Sequence, residues 1–189
     1  SNVIENGTKE DAGVISLKIK NLQALQNSAP GDKNPLENIE EALLKAKEAR
    51  AKIYVDNNYR IAIFTPSITK SKDNDLIAVS VAYEIANIIN DYNKTASQKI
   101  EFGIGVHYGR LAVDISDGKA KFVSLDNTIS VLKRVADYSN GNVLLSDAMH
   151  KNTLGKVKVD KLESGYWELK RIVDKTYYEE FIQKFLTRQ

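Results

Sequence analysis

Apolar and polar positions partly alternate over 14–19 (V-I-S-L-K-I), the two-residue period of a β-strand with one buried face. The period then changes. Leu36, Ile39, Leu43 and Ala46 fall three or four apart and define one face of a helix that packs against a sheet. Its start is written in Asn34-Pro35-Leu36-Glu37: Asn34 caps, Pro35 suits the first helical position, and Glu37 sits where a capping side chain reaches back. Strand-like runs at 51–55 and 59–64 flank Asp56-Asn57-Asn58, residues that tolerate left-handed backbone, and so predict a hairpin. Residues 75–92 form a long helix whose polar Ser80, Glu84, Asn87 and Asp91 make a single narrow stripe, so neighbours should cover most of its sides.

The second half repeats these themes. Runs at 100–107 and 110–115 predict a second hairpin turning at Tyr108-Gly109, and Asp117-Gly118 predicts a turn before a short strand at 120–124. Asp126 or Asn127 caps a helix through Tyr138 that stops at Asn140-Gly141. A buried strand at 142–145, a short helix capped by Ser146, and strands at 156–162 and 166–172 follow. Thr176 and Glu179 open an amphipathic C-terminal helix. The order strand, helix, hairpin, helix, strand is a ferredoxin-like core. The fold class expected is therefore α/β (α+β), with a central, mostly antiparallel sheet and helices largely on one face. The expected organisation is a flexible segment over 1–12, one domain over 13–175 and a terminal helix over 176–189.

Composition narrows the partners. Among 189 residues the net charge is only +2, so acids and bases nearly balance and no concentrated basic face for nucleic acid is expected. With no cysteine there is neither a disulfide framework nor a thiolate metal site. The longest apolar stretch, 76–89, contains Glu84 and is too short to span a bilayer, so no membrane contact is expected within this segment. The chain does not begin with Met, and the expectation is a cytoplasmic piece of a longer protein, including one anchored in a membrane elsewhere.

Four stretches, in order and at matching spacing, resemble the class III adenylyl and guanylyl cyclase catalytic domain. The strand at 14–22 resembles the one bearing the family's first metal-binding Asp. The hairpin ending Arg60-Ile61-Ala62-Ile63-Phe64 resembles the Gly-Asp turn and its following strand. Phe102-Gly103-Ile104-Gly105-Val106-His107-Tyr108-Gly109 is similar to the family's Gly-Ile-His-x-Gly stretch. Residues 126–135, followed by Gly141-Asn142-Val143-Leu144-Leu145-Ser146, resemble its Asn- and Arg-bearing helix and the buried strand ending in Ser.

That family cyclises nucleotides with two magnesium ions held by two Asp residues, because hard cations need carboxylates to activate the ribose hydroxyl and neutralise the phosphates. The resemblance places Lys18 at the first Asp and Asn58 at the second, Tyr54 at the base-reading Lys, Lys121 at the base-reading Asp, and Ser130 at the ribose-orienting Asn. Only Arg134 matches the family's transition-state Arg. An ammonium where a divalent cation should sit repels it, so no catalytic set is expected intact, and no metal or other cofactor. Asp56, two residues before Asn58, is read as a turn residue that pairs with solvent or Lys18. The expected function is a catalytically inactive cyclase-homology domain, a signalling and dimerisation module that forms a homodimer or pairs with another cyclase-like domain. Two alternatives stand beside it. One is an active cyclase with unconventional ligands, using Mg or Mn. The other is a metal-free anion or nucleotide sensor with Lys18, Lys121 and Arg134 as its site. His107 reads as structural and His150 as a surface residue. Gly103, Gly105 and Gly109 lack a following helix, which excludes a phosphate loop and predicts close backbone packing or a bulge.

Overall fold

In a computed structural model the described residues are 8–28, 34–124, 127–173 and residue 183. The expected C-terminal helix over 176–189 lies outside them, apart from that single residue. The elements run β1 (Thr8–Ile19), α1 (Leu22–Gln26), α2 (Pro35–Glu48), β2 (Lys52–Asp56), β3 (Tyr59–Phe64), α3 (Pro66–Thr69), α4 (Asn74–Thr95), β4 (Phe102–Ser116), β5 (Lys119–Ser124), α5 (Thr128–Tyr138), β6 (Val143–Leu145), α6 (Asp147–Asn152), β7 (Val157–Lys161) and β8 (Trp167–Ile172).

One sheet has the order β2-β3-β1-β4-β6-β8-β7, with β5 pairing β4. Its ladders are antiparallel apart from the parallel pair β4–β6. The run β2-β3-β1-β4 is the ferredoxin-like core expected from the pattern. The two-residue side-chain period of β1 divides the molecule into layers. Ile15, Leu17 and Ile19 join Ala62 and Phe64 of β3 and pack beneath α2 and α4, through Ile39, Leu43, Leu76 and Ile85 among others. Ala12 and Val14 point to the opposite face, where Ile61, Ile63, Leu111 and Leu132 of α5 complete a smaller cluster. The helices therefore lie mainly on one face, as expected, and α5 covers the other.

Several start and stop signals act as read. The Asn34 side chain accepts hydrogen bonds from the N–H groups of Leu36 at 3.0 Å and Glu37 at 3.4 Å, and Pro35 opens α2. Asn57 adopts a left-handed φ of 52°, turning β2 into β3. Ser146 accepts from the N–H of Met149 at 3.2 Å and caps α6.

Three expectations need correction. Strand β1 begins at Thr8, and residues 8–12, assigned to a flexible segment, pair with Val113 to Gly109 of β4. Charged Lys9, Glu10 and Asp11 masked the strand period there, and a partner strand supplied what the local pattern lacked. Second, there is no hairpin at Tyr108-Gly109. Residues 102–116 form one continuous strand, paired with β1 from Phe102 to Val113. The hairpin comes later, at Asp117-Gly118, where both residues take positive φ. Third, α1 and α3 were not foreseen; five and four residues are too few to show a helical period.

Gly103, Gly105 and Gly109 have another reason to be glycine. A Cβ at Gly103 would lie 2.2 Å from the Ala136 carbonyl oxygen, one at Gly105 2.7 Å from the Ala136 nitrogen, and one at Gly109 2.5 Å from Thr128 Oγ1. They form a flat track on which the α5 backbone rests, which is the close packing expected. Gly13 does the same for α4, where a Cβ would meet the Asn74 carbonyl oxygen at 2.2 Å.

Candidate functional site

Of the residues singled out in the sequence, the α5 face of the sheet carries Lys18, Tyr54 and Asp56. Lys18 continues the Val14–Ser16 side of β1 and stands opposite Tyr59 on β3 and Gly103 on β4. Tyr54 and Asp56 of β2 register with Ile61 and Tyr59 and share that face. The helix α5 crosses above them.

The Lys18 ammonium donates to Asp137 Oδ1 of α5 at 2.8 Å. The Tyr59 hydroxyl donates to the same oxygen at 2.6 Å. One turn earlier on α5, Lys133 pairs with Asp56. Lys20 donates to the Ser139 carbonyl at 2.5 Å and to Asn140 Oδ1 at 2.8 Å, just past the helix. Lys18 Nζ and Lys133 Nζ also stand 5.4 Å and 5.1 Å from the Tyr59 ring centroid, within cation–π range.

These contacts set the ionisation of the group. The hydrogen bond to Asp137 raises the Lys18 pKa above the ordinary lysine value, against the opposing effect of burial. Burial alone would raise the Asp137 carboxyl. Hydrogen bonds from Lys18 and Tyr59, with the charges of Lys18 and Lys20, outweigh it and hold that carboxyl below the usual carboxylate value. Burial, followed by the neighbouring Lys18 charge, lowers Lys20. Burial and the bond to Asp137 raise Tyr59.

The remaining positions are dispersed. Asn58 lies in the β2–β3 turn, and its backbone carbonyl accepts from the Ile19 N–H at 2.8 Å. Tyr54 is partly exposed and meets Phe122 edge-on at 6.4 Å between ring centroids. Ser130 Oγ donates back to the Asn127 carbonyl at 3.0 Å. Arg134 is exposed on α5, and Lys121 is exposed on β5 opposite Asp114. No contact joins Lys18, Lys121 and Arg134 into one cluster. The cation that α5 directs at the β2–β3 turn is Lys133, the residue before Arg134. Asp56 meets Lys133 rather than Lys18.

Sequence reasoning missed Lys20, Tyr59, Lys133 and Asp137. One signal was available: Lys133 and Asp137 lie four apart on a helix otherwise buried at Leu132, Val135 and Ala136, so both must project from one side. Their partners on three other strands were not legible.

The donor set does not fit a divalent cation. Its two carboxylates are each bonded to an ammonium, and a third ammonium, Lys20, approaches from just past β1. Among the described residues no group of three or more His, Cys, Asp or Glu side chains could hold a metal ion.

His107 is buried and its Nδ1 lies 2.6 Å from Ser146 Oγ, a structural link between β4 and α6. His150 is half-buried rather than freely exposed, stacked on Trp167 with ring centroids 3.6 Å apart.

This architecture is the fold of the class III nucleotidyl cyclase catalytic domain. Among solved structures it is similar to the monomeric guanylyl cyclase domain of the RhoGC fusion protein from the aquatic fungus Blastocladiella emersonii. That match has a TM-score of 0.67 and 16% identity, over 88% of this chain and 98% of the other. A dimeric form of that domain matches with a TM-score of 0.65 at 16% identity, over 88% and 98%. The adenylyl cyclase CyaB from P. aeruginosa matches with a TM-score of 0.61 at 14% identity, over 88% and 95%. No family model and no curated protein matches the chain in sequence.

Proposed function

We propose that this chain is a catalytically inactive cyclase-homology domain that serves a larger signalling protein in the cytoplasm as a dimerisation module. The observation that carries the reading is the Lys18–Asp137 pair. At the position that by resemblance belongs to a metal-binding Asp, the fold holds an ammonium already committed to a carboxylate. A divalent ion entering there would have to displace a covalently tethered cation and meet its repulsion. Asn58, at the second such position, offers a neutral amide. Arg134 remains to stabilise charge, but one exposed cation neither positions a nucleotide nor activates a hydroxyl.

The active-cyclase alternative would need Asp56 and Asp137 to leave their lysines and ligate metal. The anion-sensor alternative loses its central cation, because Lys18 is bonded to Asp137 and is not brought to Lys121 or Arg134. A retained fold with altered site residues is what a module kept for its interfaces would have. The partner is proposed to be a second copy or another domain of the same fold.

The test is an assay of the purified domain with ATP or GTP and either Mg²⁺ or Mn²⁺, with light scattering on the same sample. The expected result is no cyclic nucleotide above the protein-free blank, together with a concentration-dependent dimer mass. Cyclic nucleotide formation that Lys18→Ala alters would overturn the reading.

A further inference from the structure

The helix α5 meets the sheet through two unlike contacts. Along β4 it rests on glycines, its backbone close against Gly103 and Gly105 and its Thr128 side chain against Gly109, while Leu132 packs among Ala12, Val14, Ile61 and Ile63 of β1 and β3. Toward the β2–β3 turn it is held by charge. Lys18 and Tyr59 converge on one oxygen of Asp137, at 2.8 and 2.6 Å. Lys133, one helical turn away, pairs with Asp56 at the end of β2. Both ammonium groups also face the Tyr59 ring. The pairs run in opposite directions: the strand gives the cation to Asp137, and the helix gives the cation to Asp56.

We propose that Lys18 and Lys133 act as built-in cations that fasten α5 over the β2–β3 turn, so that this face of the domain is held closed without any added ligand. Two carboxylates brought onto one side of a sheet, Asp56 and Asp137, need positive charge nearby. A metal supplies it only when bound, and the fastening then depends on metal concentration. An ammonium on the same chain is always present. Its crossed arrangement, one cation per element, ties helix to sheet at two points and resists rotation of α5 about its axis. The Tyr59 ring accepts both positive charges on its electron-rich surface, which offsets part of their mutual repulsion. The remaining atoms of the arrangement agree: Lys20 secures the chain just beyond α5 through Ser139 and Asn140. The inference concerns how α5 is held and does not depend on whether the domain turns over nucleotide.

Amide hydrogen exchange of residues 128–138 tests it in the intact chain. Lys18→Met and Asp137→Asn are each expected to lower α5 protection about two- to fivefold, the range for half-exposed ion pairs. The double variant should lower it no further than Asp137→Asn alone, because the Lys18 bond is already among those that variant removes. Lys133→Met and Asp56→Asn should form a second cycle of the same kind, which also reads the proposal if Lys18→Met fails to fold. Millimolar Mn²⁺ should leave wild-type protection unchanged. Effects that multiply in both cycles, single variants without effect, or wild-type protection that rises with Mn²⁺ would each overturn the proposal.

Discussion

Lys18 donates to a carboxylate 119 positions further along the chain, and the bond works on both partners. Its pKa is raised, so the stabilisation it gives is complete below the unfolded lysine value of about 10.4 and disappears as pH rises through the folded value. The Asp137 pKa is lowered, so its share is present above the unfolded carboxylate value of about 3.9 and disappears as pH falls through the folded value. The side chains are 25% and 39% exposed, so solvent screens the pair and it contributes about 0.5–1 kcal/mol. Lys18→Met should cost that amount in urea unfolding near neutral pH. The difference should fade as pH falls through the lowered Asp137 value, below which the carboxyl is protonated in both states. A cost that does not shrink at all on acidification from about pH 7 would assign it to lost packing of the lysine stem instead. The identity of Lys18 was legible in the sequence, as was its place on a strand. Its partner was not, because nothing local to Lys18 indicates which helix will lie above it.

At the level of elements, the seat of α5 on β4 dominates. At Gly103 the obstructing atoms are main-chain oxygens of Ala136 and Ser139, at 2.2 and 2.7 Å from an added Cβ, so a methyl group there must move the helix. Gly103→Ala should cost about 2–3 kcal/mol by overpacking, a fall in melting temperature of roughly 4–12 °C for a chain of this size. Gly118→Ala is the control. It has open space around it, and its φ of +73° makes it strained only in its own backbone, at about 1 kcal/mol. Equal melting temperatures for the two variants would refute the track. The three glycines stood out in the sequence, and the absence of a following helix excluded a phosphate loop. Reading Tyr108-Gly109 as a turn failed because glycine is used equally for bending a chain and for letting another backbone approach, and only the ladder to β1 separates the two uses.

Across the whole molecule, β1 spans both layers and carries its neighbours on either side. Its first residues matter more than their polar composition suggests. Thr8 to Asp11 extend the ladder with β4, and Glu10 accepts from the Ser67 N–H at 2.8 Å and the Ser67 hydroxyl at 2.7 Å at the start of α3. Removing residues 1–11 should therefore destabilise the domain by about 2 kcal/mol, from several ladder bonds worth about 0.5–1 kcal/mol each. In thermal unfolding this reads as a drop of roughly 4–8 °C. An unchanged melting curve would show that the paired segment adds nothing.

The sequence alone determined what depends on neighbours a few residues away. The Asn34-Pro35 start of α2, the Asn57 turn, the Ser146 cap and the two-residue period of β1 are set by local sterics and hydrogen bonding, and they suffice to order a ferredoxin-like core. That Lys18 and Asn58 stand where the family resemblance leads one to expect carboxylates is likewise read from the string of residues. Tertiary structure alone decided that residues 8–12 are strand, that 102–116 is one strand, and that Lys18, Lys133, Asp56, Asp137 and Tyr59 meet. Each of these rests on contacts between residues about 40 to 120 positions apart, where the deciding energy belongs to a partner that no local window contains.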